Sequence, residues 1–386
     1  MEEKIIFFSI FSIIFILIII SLMIWVKYYI KCLCSKPNEK SKILNKFEIH
    51  FKYFITPLQL IYSVFNSSIF VLVTGSKGIK GISIYVIVYI ITSSFFLYLN
   101  YLFYHKSIVF LRSIHLTKKE TWLIYFRNYI FFLLIMFFSL FYKSILSYFN
   151  ASDLMLFLGI IIFLFVFSLL YPYLLHFRLG ATSFCDKDKK SMIIDFLNKK
   201  GIHNIEVFEY PGGKWKEANA YITGLWKKRV FISDYLLFHL SDDEILAVLA
   251  HEIGHIKKKH LWLKILYIFL LYPIFLGITS IMDLVQKPLE KLIYQPFLIF
   301  LGILFLFSFL IAYFLFYTKI ERFFEYQADL YAIKCEISPK ILISALQKIA
   351  LLNDQRLSLN KVDEKLRSHP SIQKRIKFLE GINSRR

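Results

Sequence analysis

Cysteine and acid are both scarce in this chain. Its 386 residues hold four cysteines, and its 27 aspartates and glutamates face 47 lysines and arginines, for a formal net charge of +20. Cys32 and Cys34 are separated by one residue, the wrong spacing for a zinc-knuckle pair, and they read as membrane-proximal thiols or acylation sites. No internal repeat and no low-complexity linker interrupts the chain. No basic-aromatic recognition module stands apart from its apolar runs either, which argues against a nucleic-acid partner despite the charge. The first apolar run lacks a small-residue cleavage site, because Lys27, Tyr28 and Tyr29 follow it directly; it is expected to be a retained anchor.

Apolar residues are what the chain has in excess. It is 57% hydrophobic and 19% aromatic, with 42 Phe and a mean hydropathy of +0.57, more than a soluble domain can hide, so lipid is the expected solvent for much of it. Seven runs have the length of a membrane span: Ile5 to Val26, Ile55 to Val73, Ile82 to Tyr104, Leu123 to Tyr142, Leu154 to Leu175, Ile265 to Met282 and Phe297 to Tyr317. The second carries Pro57, Gln59 and Asn66, and the fourth carries Arg127, which near a span end is expected to snorkel. Orientation follows from the lysines. Residues 27–54 hold seven Lys against two Glu, and the third connection adds Lys106, Arg112, Lys118 and Lys119, whereas the alternate connections are poor in positive charge. The positive side is cytoplasmic, so the N-terminus is expected outside and the C-terminus inside. Cys32, Cys34, Cys185 and Cys335 then all face the cytoplasm, where thiols stay reduced. The surplus charge becomes a topology signal and an attraction to anionic membrane lipid.

Four segments result: residues 1–177 with five spans, 178–264 as a polar half-domain, 265–318 with spans six and seven, and 319–386 as a second polar segment. Within 178–264, Lys190 to Lys200 reads as an amphipathic helix. Ile205 to Tyr210 alternates as a strand, Pro211-Gly212-Gly213 makes a turn, and Asn219 to Thr223 and Arg229 to Ile232 read as two more strands joined at Gly224. The expectation is a small antiparallel sheet.

The chemistry concentrates in His251-Glu252-Ile253-Gly254-His255. Residues four apart share a helix face, so both imidazoles can reach one ion, with Glu252 close enough to take a proton from water. A helix is expected here because Asp242 to Ala250 has apolar residues three and four apart, with Ser241 and Glu244 forming a capping box. Such a set points to zinc, one ion per chain, and to hydrolysis of an amide bond. A catalytic zinc takes three protein ligands and leaves one position open. Glu325 is the best candidate for the third, in a segment that continues the last apolar run as a helix; taken alone, the segment reads sooner as two acids, Glu325 and Asp329, on a solvated helix face. Asp329, one turn further, suits a carboxylate that hydrogen-bonds the free nitrogen of a ligating histidine. His260 lies too far round a continuous helix from His251 to share the ion, and is expected to be structural.

Several boxes together resemble a known family, the integral-membrane zinc proteases of the gluzincin type, which comprises the type I CAAX prenyl endopeptidases and the bacterial heat-shock membrane metalloproteases. Glu325-Tyr326-Gln327-Ala328-Asp329 looks like the family's third-ligand box, preceded by Arg322. Asn219-Ala220-Tyr221 is similar to its substrate-edge strand, and Ser368-His369-Pro370 with Arg375 resembles its C-terminal box. Lys257 and His260 follow the motif as in the family, while Glu321 stands where the family usually has serine. The resemblance spans Pro172 to Leu379 and implies an all-α multi-span membrane protein of about seven transmembrane helices, with a split zinc protease domain carrying the small sheet. His251, His255 and Glu325 would hold the metal and Glu252 would act as the base. Asp329 and Arg322 would support them, His369 and Arg375 would swing in to stabilise the oxyanion, and peptide would bind along Asn219 to Tyr221. Substrates would be peptides or proteins, prenylated or not, cut at the cytoplasmic face of a bacterial inner membrane or an endoplasmic reticulum. The seven spans favour the prenyl-endopeptidase branch over a quality-control protease, and the intact metal and base set argues against a transporter or an inactive relative.

Overall fold

The strand Lys228–Ser233 is the centre around which the polar half of the chain is built. In the computed structural model, residues 153–224, 227–267 and 295–383 are described, with a few isolated positions before them and Leu270. Helix α1 (Asp153–Leu179) leads into β1 (Thr182–Ser183), α2 (Lys187–Lys199), β2 (Ile205–Tyr210) and a 3-10 turn at Gly212–Trp215. A hairpin of β3 (Ala220–Thr223) and β4 (Lys228–Ser233) follows, then α3 (Asp234–His239), α4 (Asp242–Lys257), α5 (Gln295–Lys334), α6 (Pro339–Leu352), α7 (Lys361–Leu366) and α8 (Ile372–Asn383).

The sheet order is β1-β2-β4-β3. β1 and β3 run antiparallel to their neighbours, but β2 and β4 are parallel, from Ile205 opposite Lys228 to Tyr210 opposite Ser233. The expected antiparallel sheet is therefore mixed. The physical reason is the connection after Pro211: it carries the chain past the position beside β2, so the hairpin returns its second strand into that position. The hairpin closes at Gly224, whose φ of +108° is open to glycine and where a Cβ would strike the Lys227 carbonyl. Central β4 is covered on both sides, with Val230, Phe231, Ile232 and Ser233 all at 0% exposure, as a strand with parallel pairing requires.

Alternation along the strands divides two cores. Val207, Val230 and Ile232 face a cluster with Ile193 and Leu197 of α2, Leu236 of α3, and Ile245, Leu249 and Ile253 of α4. Phe208, Tyr210 and Phe231 face the end of α1 through Leu175. There the His176 ring meets the Phe208 edge at 4.7 Å, and Arg229 sits 3.8 Å over Tyr173.

α1 also contains Ile161–Leu179, the one stretch among the described residues long and apolar enough to cross a membrane, with mean hydropathy 1.7. Ile162, Phe165 and Leu170 of this helix are exposed, an outward apolar surface that suits lipid and not water. The fifth expected span coincides with α1, and the seventh lies within α5. The second and third spans, nearly all of the first, and most of the fourth and sixth lie outside the described residues.

α5 runs for 40 residues, about 60 Å at 1.5 Å per residue, so one rigid element joins an apolar run to the polar half. It crosses α4 through small side chains: Ala247 and Ala250 of α4 and Ala328 and Ala332 of α5 are all at 0% exposure. The closest approach is at Gly254, where a Cβ would stand 2.8 Å from the Ala328 Cα and 3.0 Å from the Tyr331 Cβ. Glycine therefore sets the separation between the two helices that carry the site.

Candidate metal centre

α4 starts where its caps say it should. The Ser241 side chain accepts from the Glu244 amide and the Glu244 carboxylate accepts from the Ser241 amide, a complete capping box. Glu244 also receives Ser344 at 2.6 Å and Lys348 at 2.7 Å, which ties the helix to α6. One turn before its end, α4 presents His251 and His255. Their Nε2 atoms lie 3.2 Å apart. Across the Gly254 crossing, α5 presents Glu325, whose Oε2 is 3.5 Å from the His251 Nε2 and whose Oε1 is 3.5 Å from the His255 Nε2.

These edges bear on metal fit. Ligands bonded at about 2.0–2.1 Å to a tetrahedral zinc stand about 3.3–3.4 Å from each other. The His251–His255 spacing of 3.2 Å is close to that value, and Glu325 closes the triangle of residues with a separate carboxylate oxygen 3.5 Å from each imidazole; two imidazoles with one carboxylate have the chemistry of a catalytic zinc site. Among the described residues, these three are the group with metal-ligand geometry.

Behind the triangle, Asp329 is fully buried and its Oδ1 takes the His251 Nδ1 at 2.9 Å. That bond leaves the proton on Nδ1 and the lone pair of Nε2 toward the other ligands. Arg375 grips the same carboxylate in a fork, Nε to Oδ2 at 2.9 Å and Nη2 to Oδ1 at 2.6 Å, and its Nη1 lies 3.4 Å from the Glu325 Oε2. Arg375 is 7% exposed. It is locked behind the ligands, whereas the sequence suggested a side chain that swings toward substrate. His369 is different: its side chain is exposed and its Nδ1 rests 3.0 Å from the Glu325 Oε1.

The segment bearing His369 is pinned on both flanks. Arg322 donates through Nη1 to the carbonyls of Glu364, Lys365 and Arg367 at 3.2, 3.0 and 2.8 Å, and the Thr318 hydroxyl donates to Lys365 at 2.9 Å. Buried Glu364 receives the Ser371 amide at 3.0 Å. Arg322 therefore acts on the loop, and through it on His369, without touching the triangle.

Electrostatics follow from burial beside like and unlike charges. Burial pushes the Glu252 carboxyl up to about 7; His251 opposes the rise and Glu325 adds to it. For Glu325 burial also raises the carboxyl, but His369 and His251 outweigh it and hold it well below the usual range. Burial and the neighbouring Arg375 depress His251, yet its bonds to Asp329 and Glu325 win and lift it to about 9. Burial, reinforced by His251, drops His255 to about 3.

Glu252, His251, His255, Glu325, His369 and Arg375 line a cavity of about 570 Å³. Asn219, Ala220 and Tyr221 form part of its wall, on the strand at the end of the sheet order. The Asn219 amide donates to the Tyr221 hydroxyl at 2.7 Å, which in turn donates to Glu217 at 3.2 Å. Two participants escape sequence reasoning. Buried Asn353 at the end of α6 clasps Ala218, accepting from its amide and donating to its carbonyl at 2.9 Å each, and so fixes the start of β3. His260, expected to be merely structural, brings its Nδ1 within 2.9 Å of the His255 Nδ1. The expectation assumed a continuous helix. α4 instead ends at Lys257, Lys259 turns at φ +55°, and a new helical stretch begins with His260.

A carboxylate beside convergent imidazoles, on helices packed against an edge strand, is the donor set of a metallopeptidase centre. The sequence profile of Peptidase family M48 matches residues 186–383, and the chain belongs to that family. It is similar to CAAX prenyl protease 1 of Saccharomyces cerevisiae, 31% identical over an alignment of 225 residues that covers 52% of this chain and 49% of that one. It is also similar to the uncharacterized metalloprotease YhfN of Bacillus subtilis, 27% identical over 50% of this chain and 48% of that one. A protease HtpX homolog of Neisseria meningitidis is 29% identical over 43% of this chain and 63% of its own length. The chain thus spans about half the length of the first two relatives. Its fold is shared with the crystal structure of S. mikatae Ste24p at a TM-score of 0.66, with 20% identity over 98% of this chain and 99% of that one.

Proposed function

We propose that this chain is a multi-pass membrane zinc endopeptidase, with its active site at the cytoplasmic face, that cuts near the C-terminus of prenylated peptides. The observation that carries the zinc reading is the triangle of His251, His255 and Glu325, two imidazole nitrogens 3.2 Å apart with a separate carboxylate oxygen 3.5 Å from each. The division at residues 178–264 and 319–386 into two protease halves around membrane segments belongs to the same reading, since the ligands come from both.

Zinc held there would act as a Lewis acid toward water and the scissile carbonyl. Glu252, with a carboxyl near neutrality, takes the proton of the attacking water and returns it to the leaving amine. His369, exposed at the cavity, is the donor for the carbonyl oxygen as charge develops on it. Arg375 and Asp329 position His251, and Arg322 positions the loop of His369. An extended peptide adds to Asn219, Ala220 and Tyr221 as a further strand along the cavity wall.

Likeness to CAAX prenyl protease 1 supports the prenylated substrate, whereas likeness to the HtpX homolog supports a second reading, a quality-control protease of membrane proteins. Purified protein given a farnesylated and an unmodified CAAX peptide separates them. Selective cleavage of the farnesylated peptide is expected. Equal cleavage of both, together with breakdown of a misfolded membrane protein, would select the second reading.

A further inference from the structure

The two candidate histidine ligands are supported differently. His251 has a carboxylate behind it, Asp329 at 2.9 Å. His255 has another imidazole, the Nδ1 of His260, also at 2.9 Å. His260 is 1% exposed, stacks on Phe324 with ring centres 4.2 Å apart at 11°, and turns its Nε2 to the Gln327 Oε1 at 2.9 Å. We propose that Gln327 and His260 form a two-step relay that positions His255, fixing the tautomer in which its Nε2 lone pair faces the metal.

The argument is a count of protons. Two imidazole nitrogens at 2.9 Å share a single proton, so one Nδ1 donates and the other accepts. The Gln327 carbonyl oxygen can only accept, so the His260 Nε2 carries a proton and its Nδ1, in the neutral ring, does not. The proton between the rings then sits on the His255 Nδ1, and the His255 Nε2 is left bare toward His251 and Glu325. The opposite amide orientation fails. An NH₂ facing His260 would put the proton on the His260 Nδ1, make the His255 Nδ1 the acceptor and leave a proton on the His255 Nε2, which could not then bind metal. Phe324 holds the His260 plane, and Phe324, Glu325, Gln327 and Asp329 lie within six residues of α5. One stretch of helix thus supplies a candidate ligand and the support behind both histidines.

This inference rests on the zinc reading above and is tested apart from it. Zinc affinity is measured by chelator competition in detergent-solubilised full-length protein, and the cobalt-substituted forms are compared by visible absorption. Both H260F, which keeps the ring on Phe324, and Q327L are expected to lose zinc affinity by about ten- to hundredfold and to shift the cobalt bands. Q327E keeps an acceptor of the same length and is expected to bind zinc more tightly than Q327L and close to wild type. A purely structural role predicts the reverse order, because a buried charge would harm Q327E more. Zinc affinity within twofold of wild type in both H260F and Q327L, or Q327E weaker than Q327L, overturns the relay. If H260F does not fold, the Q327L and Q327E pair decides. Absence of zinc from wild-type protein would instead overturn the zinc reading itself.

Discussion

Glu252 shows how little a residue needs to move to acquire a function. It sits on α4 between the two imidazoles, and burial pushes its carboxyl to about 7, the range in which a group can both accept and return a proton at neutral pH. Glutamine has the same length and no such capacity. The variant E252Q is expected to lower turnover by about 10²- to 10⁴-fold while zinc content stays at the wild-type value, measured by peptide cleavage alongside elemental analysis. Retained turnover would remove Glu252 as the base. At this scale much was legible beforehand, because His251, Glu252 and His255 are bound by the local geometry of one helix. Asp329 could be placed one turn beyond Glu325 for the same reason. His260 and Asn353 were not legible: the first depends on a bend at Lys258 and Lys259 that breaks helical phase, and the second on a clasp across 135 residues to Ala218.

Elements are fixed by their ends and crossings. α4 begins with a capping box whose acid, Glu244, is also bonded to Ser344 and Lys348. Burial works against its charge, but these bonds prevail and hold its carboxyl below the ordinary value. The sign follows from linkage: a carboxyl depressed by folding contributes stability that is complete above its unfolded value and is lost as pH falls through the folded one. Glutamine preserves the capping box and removes the charge. E244Q is therefore expected to cost about 1 kcal/mol near pH 7, a modest figure because Lys348 is half in solvent. The difference from wild type should narrow as pH falls below the ordinary carboxylate range, as read from denaturant midpoints at neutral and acid pH; a constant gap would show that the charge is not what stabilises. The helices were foreseeable from caps and periodicity. The parallel pairing of β2 with β4 was not, since adjacent hairpin strands suggest antiparallel order and only the path after Pro211 decides otherwise.

For the whole molecule, the consequence of a split site is that metal binding and tertiary structure are coupled. Two of the candidate ligands come from α4 and the third from α5, with residues 258–294 between those helices. Nothing in α4 alone can complete the triangle, so an ion that binds it must favour the packed pair over the separated one. Binding to the folded state alone adds RT ln(1 + [L]/Kd), about 4 kcal/mol when zinc exceeds its dissociation constant a thousandfold. Chelation is therefore expected to lower the unfolding temperature of the solubilised protein by several degrees, and returned zinc to restore it. E325Q should leave only the two imidazoles of a single helix, bind zinc weakly and lose most of this response, and its zinc-free form is expected to unfold below the zinc-free wild type because His369 and Arg375 lose a buried anionic partner. The comparison is made by thermal unfolding with and without chelator in both proteins. An equal zinc-dependent rise in E325Q would mean that the ion is held within α4 or elsewhere, and that the crossing at Gly254 brings α5 close for packing without joining it to the metal.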